Sequence, residues 1–203
     1  MPEGERRTQI LRIARDLFAQ RGYAAVSLGD IAQAVGVSKA AIYHHFSSKD
    51  ELYTAMLCDL LARIGAGMRS IVAAPEPLRT RIEWFARAIA NIPADADMDA
   101  MMRDVAEHLA PEQRQRIAAA HVALTDPPLA LMREGVAQGT LRGDPHVLAH
   151  AFVHLCAAFS GRVGAQEGFR GRREVIDAVL DLFLRGAATG DWIAPESHAG
   201  HSP

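Results

Sequence analysis

The feature that most constrains this 203-residue chain is a connection of two residues. Helix-forming sequence runs from Ser27 to Gly36 and, after only Val37 and Ser38, resumes with Lys39, Ala40, Ala41, Ile42 and Tyr43. So short a link leaves no room for a strand or a wandering loop, and it forces a helix-turn-helix corner. The side chains suit that corner. Ser27 can cap the first helix, with Asp30 three residues on in a capping-box arrangement, and Leu28, Ile31, Ala32 and Val35 form its inner face. Ala32 is small enough for a close helix crossing, Gly36 can take the left-handed turn conformation, and Val37 with Ile42 fills the angle.

From Arg6 to Gly22 the residues Ile10, Leu11, Ala14, Leu17 and Phe18 recur with the period of one buried helix face, and Gly22 supplies a stop. Ser48 caps a long helix with Glu51 at its third position. Leu52, Met56, Leu60, Ile64, Met68 and Ile71 carry an apolar stripe along about 35 Å of it, to the breakers Pro75 and Pro77. Helical patterns then recur over 78–92, 97–110, 112–124, 128–138, 145–165 and 172–187. They are separated by Pro93, Pro111, Asp126-Pro127-Pro128, Gly139, Asp144-Pro145 and Gly171. No strand-like alternation of any length occurs. The expected fold is all-α: an N-terminal three-helix helix-turn-helix domain over 1–54, a larger C-terminal helical bundle over 55–190, and a loose tail over 191–203.

Composition bounds the function. With 49% hydrophobic and 23% charged residues the chain can bury a sizeable core and is not a disordered polymer. No apolar run approaches the roughly 18 residues of a membrane span, and Met-Pro-Glu-Gly-Glu-Arg-Arg is not followed by the apolar core of a secretory signal. A soluble cytoplasmic protein without a membrane partner is expected. Cys58 and Cys156 stand far apart in apolar surroundings and read as core thiols. The net charge of -2 argues against indiscriminate polyanion binding, but the distribution of charge is uneven. The only two lysines, Lys39 and Lys49, share one short segment, and residues 1–54 hold seven basic against six acidic side chains. That asymmetry points to an N-terminal polyanion contact.

A helix-turn-helix places the N-terminal half of its second helix in the DNA major groove, where base edges offer a readable pattern of donors and acceptors. The outward residues of that helix are Lys39, Ala40, Tyr43 and His44. Lys39 can donate to guanine or phosphate, Ala40 and Ala41 allow close approach and can touch a thymine methyl, and Tyr43 can reach a phosphate oxygen. Ser27 and Lys49 can grip phosphates on either side and so fix register without reading sequence.

Over residues 8–57 the chain resembles the DNA-binding domain of the TetR family of bacterial repressors. The resemblance rests on Thr-Gln-Ile-Leu, Ala-x-x-Leu-Phe-Ala-Gln-Arg-Gly-Tyr, Ser-Leu-x-Asp-Ile-Ala-x-x-Val-Gly-Val-Ser-Lys and Ile-Tyr-His-His-Phe-x-Ser-Lys-Asp-Glu-Leu. Further on, Glu-Gly-Val-Ala-Gln-Gly-Thr-Leu-Arg-Gly-Asp resembles the family's lead into its dimerisation helices. The resemblance implies DNA contacts at Ser27, Lys39, Tyr43, His45 and Lys49. It departs from the family at Ala40-Ala41, where relatives often carry Gly, Pro, Thr or Ser. Base readout then leans on Lys39, His44, the backbone and DNA shape, and Phe46 is expected to pack the corner.

In the C-terminal part, Leu148, Phe152, Leu155 and Phe159 lie on one side of a helix and His146, His150, Val153, His154, Ala157 and Gly161 near the other, so that helix is expected to be buried twice. With the apolar helix around residues 175–184 it can form half of a four-helix dimer bundle, as the resemblance also implies. The expected partners are a second copy of the chain, a palindromic double-stranded operator and a small apolar or amphipathic effector. Met68, Trp84, Phe85, Met98, Met101, Met102 and Phe152 are the candidate effector-binding residues, because polarizable, adaptable side chains suit a greasy cavity.

No cofactor and no resident metal are expected. His146, His150 and His154 recur every four residues, but the outer two are separated by about 12 Å of helix, too far to share one ion. A metal-responsive regulator of the same fold is the alternative. Asp104 and His108, also four apart, read as a surface pair. No phosphate loop and no nucleophile–base motif in a credible context is present, so the chain is not expected to be an enzyme. A rival from another class, a helical carrier or enzyme keeping the corner as scaffold, predicts no sequence-selective DNA binding.

Overall fold

The computed structural model describes residues 3–91, 98–158 and 172–189. Among them the chain is helical without a strand. Its helices are α1 (Glu3–Ala25), α2 (Leu28–Val35), α3 (Lys39–His45), α4 (Lys49–Val72), α5 (Leu78–Ala90), α6 (Met98–His108), α7 (Pro111–Ala137), α8 (Pro145–Ala158) and α9 (Arg172–Ala187). The all-α expectation holds. Phe159, Gly161 and the expected tail over 191–203 lie outside the described residues. No helix among those described is long and apolar enough to cross a membrane.

Two compact units emerge, Met1–Arg69 with Ile92–Thr125 and Ser70–Asn91 with Asp126–Pro203. The first is larger than the expected 1–54 module. A three-helix module of that size buries little surface by itself, and α6 with the front of α7 completes its core. Met101, Val105, Leu109 and Ile117 are buried in one cluster with Ile10, Leu11, Phe18, Ile31, Ile42, Phe46, Leu52 and Leu57. Gly65 of α4 is part of this fit, because a Cβ there would lie 2.7 Å from the Ala123 carbonyl oxygen of α7. Cys58 is only half-buried, unlike the fully buried Cys156, whose thiol burial pushes up to about 12.

In the second unit α5 packs on α8 and α9, with Phe152 between Phe85 and Phe183 at ring-centroid distances of 6.1 and 5.1 Å. Arg81 is its buried cation. Its guanidinium donates to the Glu76 carbonyl at 2.9 Å and to the Val72 carbonyl, a free end of α4, at 2.8 Å. It also forms a two-pronged pair with Glu134 of α7. The fork geometry satisfies the charge on several sides, which is the condition for burying it.

The chain departs from its own sequence pattern at α7. Asp126-Pro127-Pro128 does not separate two helices; both prolines lie inside one helix of 27 residues. Each proline lacks an N–H and so removes one intrahelical bond, yet both flanks are anchored by burial, Ile117 on one side and Leu131 with Met132 on the other. Packing on either side of the prolines outweighs the lost bonds.

Candidate nucleic-acid interface

Three side-chain caps and one glycine set the corner. Ser27 closes a full capping box on α2: its Oγ accepts from the Asp30 N–H at 3.2 Å, and its own N–H donates to the Asp30 carboxylate at 2.8 Å. The Ser27 hydrogen bonds hold the Asp30 carboxyl below the usual carboxylate range. At the other end Gly36 adopts φ 78°, ψ 37°, and the N–H groups of Gly36 and Val37 both donate to the Ala32 carbonyl, at 3.0 and 2.9 Å. This left-handed cap is cheap only for glycine. Ser38 then caps α3 by accepting from Ala41 N–H at 3.2 Å, and Ser48 accepts from Glu51 N–H at 3.0 Å to open α4.

Held this way, α3 is two-faced. Ile42 is buried and Phe46, just past the helix end, is buried in the corner as expected. Lys39, Ala40, Tyr43 and His44 are exposed, Tyr43 by 50%, and Ala41 and His45 are half-buried at the edges. The Lys39 ammonium lies 5.9 Å from the Tyr43 ring centroid, and the rings of His44 and His45 are 5.3 Å apart. Ser27 is also exposed. The face is a cationic and hydrogen-bonding surface with small residues at its centre, which matches a polyanion with a groove.

Lys49, the expected phosphate grip near the start of α4, does not stand clear of the protein as Lys39 does. It is half-buried, with its ammonium 4.0 Å from the Tyr23 ring centroid and 3.5 Å from the Ala24 carbonyl oxygen. Desolvation lowers its pKa, while Asp50 and Asp104 pull the other way. Around it stand residues that sequence reasoning did not assign to the site. Tyr23 OH donates to the Asp50 carboxylate, and the Tyr23 N–H donates to Asp104 Oδ2 of α6 at 3.1 Å. Arg7 of α1 places its guanidinium 5.3 Å from the Phe46 ring centroid. Asp104 and His108 are therefore more than a surface pair: the His108 ring is 4.9 Å from that of Tyr23. No local pattern could disclose a bond spanning 81 positions.

The candidate effector residues are distributed over both units. In the first, Met68 is buried, Met101 belongs to the core, and Met102 packs against that core. In the second, Phe85 and Phe152 are fully buried as neighbours, and Trp84 is 40% exposed. Met98 is the first residue of α6. On α8, His146, His150 and His154 are all exposed, with the last two rings 4.2 Å apart, while Cys156 is buried on another side. Among the described residues no group of three or more His, Cys, Asp or Glu side chains could hold a metal ion. Nothing therefore favours the metal-responsive alternative. Only part of the twice-buried expectation for this helix holds within one chain: Ala149, Phe152 and Cys156 are covered, but Val147 is 66% exposed.

A family described as "Bacterial regulatory proteins, tetR family" matches residues 10–56. The HTH-type transcriptional repressor KstR2 of Rhodococcus jostii is 31% identical over 187 residues, covering 91% of this chain and 92% of that protein. The HTH-type transcriptional activator FasR of Mycolicibacterium smegmatis is 40% identical over 89 residues, covering 42% of this chain and 41% of that one. Among solved structures, the TetR family transcriptional regulator PfmR of Thermus thermophilus is 31% identical with a TM-score of 0.66, covering 87% of this chain and 97% of its own.

Proposed function

The chain belongs to the TetR family of bacterial regulatory proteins, DNA-binding transcriptional regulators rather than enzymes, and on that premise we propose that it is a dimeric repressor of a palindromic operator. The observation that carries this reading is the exposed face of α3. Lys39, Ala40, Tyr43 and His44 stand clear of the core on a helix whose start and tilt are fixed by caps. In this reading Lys39 and His44 donate to base edges or phosphates, Ala40 and Ala41 let the helix approach the groove floor, and Tyr43, His45, Ser27 and Lys49 hold the backbone. A two-fold dimer would present two such heads, and the operator half-sites would match their separation.

The exposed face of α8 and the outward Leu182 of α9, 63% exposed, support a second copy as the partner of that surface. Release would follow from an effector with higher affinity for a head spacing that misfits the operator; a difference of about 3 kcal/mol shifts such a balance a hundredfold. Within the second unit the aromatic side chains of Trp84, Phe85 and Phe152 support an apolar or amphipathic molecule.

The test begins with selection of genomic DNA fragments by the purified protein. Affinity for the selected fragment is then measured against salt for wild type, Lys39→Ala and Lys49→Ala. Each variant is expected to bind about tenfold more weakly, with a salt slope shallower by about one. Equal affinities and slopes would overturn the contact assignment.

A further inference from the structure

Within α1 the helix is interrupted at Gly22, whose φ of 75° and ψ of 164° are not helical. A break of this kind turns the next N–H off the helix axis and leaves it without the carbonyl four residues back. That N–H belongs to Tyr23, which is buried, so it needs a partner. The partner is the carboxylate of Asp104, on α6, at 3.1 Å. The same oxygen lies 3.5 Å from the hydroxyl of the fully buried Tyr53 of α4. Asp104 thus acts as a cap supplied from outside the helix-turn-helix segment.

Tyr23 is the node on which both backbone grips depend. Ser27 follows it by four residues, and its hydroxyl opens α2. Lys49 rests on its ring. Its hydroxyl is tied to Asp50 in the first turn of α4, and its ring stacks with Phe18 and meets Tyr53 edge-on. Fixing the Tyr23 backbone therefore fixes the loop leading to Ser27 and the platform under Lys49.

We propose that Asp104 is a positioning residue for DNA binding: by capping the Tyr23 N–H it holds Ser27 and Lys49 where they meet the DNA backbone. This rests on the reading of those two residues as phosphate contacts. Donors held in place before binding lose less freedom on binding, so removing the cap weakens DNA affinity without removing any group that touches DNA. A second tie into the same segment, the ion pair of Arg116 in α7 with Glu51, is exposed and ends on a side chain rather than on the Tyr23 backbone. It serves as the control.

The experiment uses the full chain and a DNA fragment selected by wild type. Affinity and salt slope are measured for Asp104→Ala, Asp104→Asn, Arg116→Ala, Lys49→Ala, Ser27→Ala and the double variant Asp104→Ala/Lys49→Ala, with amide exchange read at Tyr23. Asp104→Ala is expected to lose about tenfold in affinity and the protection of the Tyr23 amide. Asp104→Asn keeps an acceptor oxygen and is expected to stay within about twofold of wild type, as is Arg116→Ala. The double variant should be weaker than wild type by clearly less than the product of the two single effects, because both changes disable the Lys49 contact. Should the alanine variant fold poorly, Asp104→Thr, whose oxygen stops short of the Tyr23 N–H, replaces it. If Lys49→Ala weakens binding while Asp104→Ala and Asp104→Thr bind as wild type, or if the Asp104 and Lys49 effects simply multiply, the positioning role is overturned and the contact reading stands. If Lys49→Ala and Ser27→Ala both bind as wild type, the contact reading itself falls and takes the role of Asp104 with it.

Discussion

Helices α3 and α8 are built alike and exposed differently. Each starts on a side-chain cap: Ser38 accepts from Ala41 N–H, and Asp144 accepts from the N–H groups of His146 and Val147 at 2.8 and 3.1 Å. Each buries one stripe and leaves the opposite face open. On α3 that face is Lys39, Ala40, Tyr43 and His44; on α8 it is His146, Val147, His150, Ala151 and His154. The first offers charge and hydrogen-bond donors, the second small and apolar groups between imidazoles. A polyanion rewards the first kind of surface through released counterions, and a protein surface rewards the second through buried apolar area. Exposure alone does not distinguish the two faces; the chemistry of the exposed stripe does.

The contrast can be broken at α8 with the largest effect. Val147→Asp combined with Leu182→Asp would place charges where a second copy is expected to cover them. Sedimentation should then report monomers, and operator affinity should fall about a hundredfold or more as the two heads lose their linkage. A dimer of undiminished affinity would show that the face is not the one a second copy covers.

A smaller effect sharpens the comparison. Ser38→Ala and Asp144→Ala each delete one helix cap, and each should cost about 1 kcal/mol in denaturant unfolding. Ser38→Ala should weaken DNA binding more than Asp144→Ala, because the proposed reading face lies on α3. Equal loss of DNA affinity from both would erase the functional distinction between the helices.

The smallest effect concerns the cap on the partner of α3. The folded-state pKa of Asp30 is depressed by the Ser27 hydrogen bonds. Its contribution is therefore complete above the ordinary carboxylate range and is lost as pH falls through the depressed folded value. The melting temperatures of wild type and Asp30→Asn should differ at neutral pH and converge in acid. A difference that persists after acidification would assign the effect to something other than this carboxylate.

Much of the corner was legible because its causes are local. Ser27 with Asp30, Gly36, and the spacing of Ile31, Val35 and Ile42 act within a few residues of one another. Lys39, Ala40, Tyr43 and His44 could be placed outward by helical period alone. Lys49 could be named but not placed, since its resting position on Tyr23 depends on a neighbour 26 positions earlier in the chain. Pro127 and Pro128 carried the local signature of a break, and burial on both flanks overrode it.

The amino-acid order by itself determined the helical class, the turn between α2 and α3 and the identity of the exposed groups on α3, because caps, glycine conformations and apolar periods operate over one or two helical turns. Only the tertiary structure decided that α6 completes the N-terminal core, that α7 runs through its prolines, and that Asp104 caps Tyr23. Those outcomes depend on which buried groups meet across long stretches of chain, and no period in the sequence encodes such a meeting.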